Sequence, residues 1–431
     1  MAGKMFGWCA RECADSDCVF AVNGVPVLSE EEEEVAFELK KRHLECAGEK
    51  PLDGLLAGIC GEMEIALDEW QEEDLKRFVL IDAEWGGPLG LLASDERLEE
   101  VAVIGVGKPI FAYVRGEGWR ETNCEFTEMG ALIESINKLA KPLGRRVTLR
   151  SPRINAVLKN GSRLHASIPP LSEGEVTIRR FREKPFSPKE LVANGTFSAE
   201  AMAFLSLAMQ SDASIIVAGN TGSGKTSTLN ALFSFVPMEE RVLVVEETPE
   251  IRVPQPHCCR LVARDELNLG LGELAADSLR MRPDRVVVGE ARDAREAKAL
   301  FDAMLSGQAR GCYATVHARS ADEALARLCS LGIPGRDLPA LDLVVVQRRI
   351  ARFSNGRFCE ARKCVEICEV VGDGNGFARA EKLFELDFAA NAMRRVSLGK
   401  KMAERICRTF GFDARGLEKE VERRVRQNVP E

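Results

Sequence analysis

Ala213-Ser-Ile-Ile-Val-Ala-Gly-Asn-Thr-Gly-Ser-Gly-Lys-Thr-Ser-Thr-Leu229 decides how this chain is read. Its first part, Ser214–Ala218, is a short apolar run suited to a strand buried on both faces. Gly219-Asn220-Thr221-Gly222-Ser223-Gly224-Lys225-Thr226 then fills every fixed position of G-x-x-x-x-G-K-[ST], and Ser227 continues into a helix. Gly219, Gly222 and Gly224 let the loop curl so that backbone N–H groups converge on phosphate oxygens. Lys225 supplies a compact positive charge for the β- and γ-phosphates, and the Thr226 hydroxyl is a ligand for Mg²⁺. The helix that begins near Lys225 adds its dipole to the anion site. A nucleoside triphosphate with Mg²⁺ is the expected ligand.

The rest of the composition permits a large core. The chain has 431 residues, 45% of them hydrophobic and 29% charged, enough for two or three domains. A net charge of −8 argues against non-specific nucleic-acid binding by the chain as a whole. No apolar run reaches the ~18 residues of a membrane span, and the N-terminus has no signal-peptide core, so a cytoplasmic protein is expected. The 14 cysteines are spread along the chain, and free thiols are the default. Two clusters stand apart. Cys9, Cys13 and Cys18 form one, which only His43 or Cys46 from further along would complete; Cys359, Cys364 and Cys368 form the other. Each offers three ligands where structural zinc wants four, so ordinary thiols are the preferred reading.

Composition shifts suggest the boundaries. Residues 1–85 read as a partly helical accessory region, with Ser29 as N-cap to an acidic helix start. Residues 86–184 read as an α+β domain, with an amphipathic helix over Met129–Leu143 and a hairpin around Lys159-Asn160-Gly161. Pro185 and Pro188 mark a linker over 185–196. From 197 to 379 apolar strands alternate with helices, which implies a RecA-like α/β domain with a parallel-rich sheet. A charged, helical segment over 380–431 closes the chain.

Three further blocks follow the phosphate loop. Glu246-Glu247-Thr248-Pro249-Glu250 comes after the apolar run Val242–Val245, where an α/β sheet presents ligand-contacting groups. Gly289-Glu290 follows Val286–Val288, and a glutamate there is placed to orient a water against the γ-phosphate. His317 follows the strand-like Gly311–Val316. In this order and spacing the four blocks resemble the secretion ATPase superfamily, the motors of type II and type IV secretion, type IV pili and archaella. Its Walker A block is similar to Gly219–Thr226, its Asp box to Glu246–Glu250, its Walker B block to Leu279–Glu290 and its His box to Gly311–His317. Asn160–Leu171 and Thr177–Phe181 resemble its N-terminal domain. Leu279–Glu290 and Thr248-Pro249-Glu250 look most like the archaeal branch, although Glu247 stands where the family usually carries Asp.

The resemblance implies a homohexamer with ATP held between two domains. In that picture Glu290 activates the water, Glu246 and Glu247 support the metal and water network, and His317 senses the γ-phosphate. Metal ligation falls to Thr226 and Glu247. Arg163, Arg179 and Arg180 are expected at the nucleotide, and Arg280 and Arg282 as further transition-state cations. The implied partners are a polytopic inner-membrane platform protein and, indirectly, pilin-like or secreted substrates, with the motor on the inner face of the membrane. A nucleic-acid translocase and a nucleotide-binding scaffold are the alternatives.

Overall fold

A computed structural model describes residues 5–11, 19–22, 24–46, 50–182, 184–264, 267, 269–354 and 357–427; side chains at 352–359 are not described. Contacts divide the chain into two units, Met1–Arg182 and Glu183–Glu431.

In the first unit, strands Leu98–Ile104, Pro109–Val114 and Gly118–Phe126 form an antiparallel meander. The hairpin Arg153–Val157/Arg163–Ser167 joins it through Glu175–Arg179. Gly161 takes the positive φ (80°) that the turn requires. The expected helix runs over Met129–Ala140, with a tighter turn to Leu143. The helices of the accessory region do not stand apart. Val35, Leu39, Leu56, Ile59 and Leu75 are buried in the same hydrophobic cluster as Val101, Ile110 and Ile178. Ser29 caps the helix Glu30–Glu45 in a reciprocal box with Glu32. Cys9 is a buried free thiol; Cys13 and Cys18 lie outside the described residues.

The second unit is built on a nine-stranded sheet. Cys258–Val262, Val242–Glu246, Arg285–Val288, Gly311–Val316, Ile215–Gly219 and the first part of Leu343–Ser354 lie side by side and parallel. Arg357–Gly372, Ala378–Asp387 and Ala392–Arg395 extend it antiparallel. The central strands are buried on both faces, and alternate residues divide between two cores. Ile215, Val217, Val244, Val287 and Val345 face one helical layer. Ile216, Ala218, Val245, Val288 and Val346 face the other. That two-sided burial is why these strands read as unbroken apolar runs.

Two expectations about elements change. The stretch 185–196 contains a helix, Pro188–Ala193, started by a Ser187/Glu190 capping box with Pro188 in the first turn. The segment 380–431 is not helical throughout: strand Ala378–Asp387 buries Leu383, Phe384 and Leu386, and helices begin at Lys400 and Ala414. Its Glu- and Lys-rich composition favours helix, and pairing with Arg357–Gly372 overrides that preference. Cys364 and Cys368 are buried free thiols within this antiparallel part. Among the described residues no cluster of three His, Cys, Asp or Glu side chains has metal-binding geometry. Nor is any described helix long and apolar enough to cross a membrane.

Candidate functional site

Four parallel strands finish on one side of the sheet, and each is followed by one of the blocks singled out in the sequence. Backbone bonds hold these strand ends in step. Gly289 N–H donates to Val245 O (2.8 Å) and Ala291 N–H to Thr315 O (2.9 Å), while Thr315 Oγ1 donates to Gly289 O (2.7 Å). Glu290 is thereby held between the ends of its two neighbouring strands.

The loop Gly219–Thr226 curls as its glycines allow, with positive φ at Gly219, Gly222 and Gly224. A Cβ on Gly219 would collide with the Gln347 carbonyl and the Ser223 side chain, so this position requires glycine. Lys225 and Thr226 open the helix Lys225–Leu232. Lys225 Nζ donates to Gly219 O (2.8 Å) and Asn220 O (3.3 Å), so its ammonium sits over the loop that it would share with phosphates. Ser223 is buried, and its Oγ has no hydrogen-bond partner among the described residues. Asn220 and Thr221 are exposed at the rim and Ser227 is half-buried.

The carboxylates take distinct places. Thr226 Oγ1 lies 3.5 Å from Glu250 Oε2, a pairing of hydroxyl and carboxylate oxygens that suits Mg²⁺, directly or through water. Glu247, the expected metal ligand, instead forms an ion pair with Arg292. Arg292 Nε also stands 3.6 Å from Glu290 Oε2. The guanidinium therefore links the block after Val242–Glu246 to the one after Arg285–Val288. His317 Nε2 approaches Glu290 Oε1 to 2.8 Å, a close contact rather than an aligned hydrogen bond. Burial and then the Lys225 ammonium hold His317 below the usual imidazole range, with Glu290 pulling the other way. A neutral imidazole between a lysine and a glutamate is the result.

Glu246 departs from its expected role. Its side chain is buried, and Oε1 accepts from Glu250 N–H (2.7 Å) and Ile251 N–H (2.6 Å), with Arg260 Nη1 3.5 Å from Oε2. Burial pushes this carboxyl up to about 7, against those backbone donors. It shapes the turn that presents Glu250, and one of its carboxylate oxygens is taken up by that turn.

The arginines separate. Arg280 is exposed and pairs with Asp277 (3.4 Å); Arg282 is exposed with a left-handed backbone (φ 52°). Both precede the strand Arg285–Val288, so they lie at the end of the sheet opposite the phosphate loop. They are not brought to the site of their own unit. In the first unit Arg163 and Arg179 face each other across neighbouring strands. Arg180, the next residue, buries Nε and Nη1 without a hydrogen-bond partner among the described residues. Glu250, Arg292, Gln347 and Arg362 are site residues that the sequence reading did not select. Glu250 closes the block Glu246–Glu250, and Arg292 stands two residues past Glu290. Gln347 and Arg362 come from a distant strand pair with no motif to mark them.

A family model described as "Type II/IV secretion system protein" matches residues 113–428. An uncharacterized protein of Methanocaldococcus jannaschii is 37% identical over 239 residues, 51% of this chain and 33% of that protein, so the chain spans about a third of that relative. A putative conjugal transfer protein of Mycobacterium tuberculosis is 33% identical over 291 residues, 63% of this chain and 81% of its own length. The Legionella pneumophila ATPase DotB, solved by X-ray methods, superposes with a TM-score of 0.48 at 16% identity, covering 79% of this chain and 88% of that one. The family match takes in the phosphate loop and every strand end described above. On that extent this chain belongs to the type II/IV secretion system protein family, within the secretion ATPase superfamily.

Proposed function

We propose that this chain is the ATP-hydrolysing subunit of a hexameric motor that drives secretion or pilus-like filament assembly at the inner face of a membrane. One observation carries the reading. The phosphate loop, the Thr226–Glu250 pair and the Glu247–Arg292–Glu290–His317 chain converge on a single sheet edge. Thr226 and Glu250, with Glu247 once released by Arg292, form an oxygen-rich donor set that would hold Mg²⁺. When bound, the metal would neutralise charge on the β- and γ-phosphates. Lys225 binds the same oxygens. Glu290 orients a water and accepts its proton as the water oxygen bonds to the γ-phosphorus and the bond to the bridging oxygen breaks. His317, whose Nε2 lies against Glu290 Oε1, limits where that carboxylate can turn. Arg163, Arg179 and Arg180 remain the proposed cations of the first unit. The proposed partners are five further copies and a polytopic membrane platform.

The test is ATP turnover and particle size for the full chain and for Glu290→Gln. Hydrolysis by a ring-sized species, lost by about two orders of magnitude or more in the variant while ATP still binds, is expected. Tight ATP binding by a monomer without turnover in either protein would leave a nucleotide-binding scaffold. The conjugal transfer relative motivates a second reading, DNA translocation. Salt-sensitive stimulation of turnover by added DNA would favour it.

A further inference from the structure

The phosphate loop is gripped by a strand pair that carries no motif. Strand Leu343–Ser354 runs beside Ile215–Gly219 with Gln347 opposite Gly219. Its pairing with Arg357–Gly372 shifts register between Val346 and Gln347, as it passes the loop. The Gln347 carbonyl fills the space beside Gly219, and its buried Nε2 donates to Thr228 Oγ1 (2.8 Å) on the helix after the loop. Arg362 Nε donates to the carbonyl of Gly222 at 3.0 Å. Its stem passes within 3.7 Å of where a Cβ on Gly224 would stand, and Arg349 Nη1 within 4.0 Å of one on Gly222.

Two features of this contact are unusual. Arg349 and Arg362 are direct register partners, and like charges opposite one another across an antiparallel pair repel. Glu360 meets the Arg349 Nε at 3.4 Å and offsets part of that repulsion. The second feature is the choice of acceptor. In a trans peptide the carbonyl and the following N–H point in opposite directions. A guanidinium bound to Gly222 O therefore fixes the Ser223 N–H on the opposite side of that peptide, where it donates to Asn220 O (3.2 Å).

We propose that Arg362, backed by Arg349, is a positioning residue that presets the Gly222–Ser223 peptide for triphosphate. This makes Gln347, Arg349 and Arg362, and not the rest of their strands, part of the nucleotide site. The inference rests on the reading that the loop binds ATP, and the experiment separates the two.

ATP affinity, by calorimetry with Mg²⁺–ATP, and steady-state turnover are measured on the full chain. The proteins compared are wild type, Arg362→Gln, Arg362→Lys and Arg348→Gln, an exposed neighbour. Arg362→Gln is expected to raise both Kd and KM about tenfold with kcat within about twofold, the signature of lost binding common to ground and transition states. Arg362→Lys, which keeps the charge but carries its donors at the chain end, recovers part of the affinity. Arg348→Gln matches wild type. Thermal melts without nucleotide report folding. Should Arg362→Gln fail to fold, Arg362→Lys carries the test, with an expected loss of about threefold. Wild-type affinity in the folded Arg362 variants overturns the inference, and so does a fall in kcat at unchanged KM. Absence of ATP binding by wild type overturns the nucleotide reading itself, before any variant is considered.

Discussion

At the scale of single residues, Glu246 shows how a carboxylate placed by its motif can be reassigned by its surroundings. It is 2% exposed and accepts two backbone N–H bonds, yet burial lifts its pKa to about 7. A group whose pKa is higher folded than unfolded binds more protons in the native state. Stability therefore falls as pH rises from about 4.5 to about 7 and is flat above. That shift corresponds to up to about 3 kcal/mol. Glu246→Gln keeps a carbonyl oxygen for both N–H donors without the charge. Urea denaturation should find it at least as stable as wild type at pH 8, with the decline between pH 5 and 7 reduced. A variant destabilised at pH 8, with the decline intact, would show that the ionised carboxylate is needed, with Arg260 as its partner. His317 titrates in the opposite sense. With its pKa held down, it stays neutral through the neutral range, and turnover should fall only when acid protonates it. A pH–rate profile whose acid limb moves in His317→Gln would bear this out.

At the scale of elements, the helix Lys400–Phe410 is fastened by a residue from a strand. Glu369 is fully buried, accepting from Lys400 N–H (2.9 Å) and Met402 N–H (3.0 Å) at the helix start. Lys401 Nζ donates to the carbonyls of Pro339, Leu341 and Val370 and pairs with Asp342. Glu369→Ala removes two charge-assisted bonds and leaves two donors unsatisfied. A loss of about 2–4 kcal/mol is expected in urea denaturation, with a smaller loss for Glu369→Gln. A loss under about 0.5 kcal/mol in Glu369→Ala would mean that Lys401 alone anchors the helix. This fastening explains what the sequence reading could not reach. Strand, glycine loop and helix at 213–232 are contiguous, so their geometry is written in neighbouring residues. The Asn160-Gly161 hairpin is local in the same way. By contrast, Ala378–Asp387 is a strand because of its partner Arg357–Gly372, and Arg362 meets Gly222 across 140 positions of chain. Periodicity carries no record of such pairings. Glu250 lies within a recognised block, but which carboxylate of that block turns toward Thr226 depends on the turn that Glu246 builds beneath it.

At the scale of the whole molecule, the two units have separate cores. Among the described residues both cores of the second unit draw entirely on positions from Phe186 onward, one on each face of its sheet. Its strand starts are tied as firmly as its strand ends. Buried Arg285 donates to Glu240, Asp212 and Tyr313, and Arg310 reaches Glu240 and Asp212 as well. Breaking such a network from one side strands buried charge, which makes the sheet a rigid platform for the groups at its far edge. Lys225, Thr226, Glu250, Glu290, His317 and Arg362 all belong to this unit. A fragment of residues 183–431 should therefore fold cooperatively and bind ATP within a few-fold of the full chain. Hydrolysis is a different matter. If Arg163, Arg179 and Arg180 supply the cations that oppose charge on the transferred phosphoryl group, the fragment should lose about 10²–10³ in kcat while keeping its affinity. Alanine substitution of the three arginines in the full chain should reproduce that loss. A fragment that hydrolyses ATP as fast as the full chain would place the whole of the chemistry in the second unit, and with it the search for the cation that completes the site.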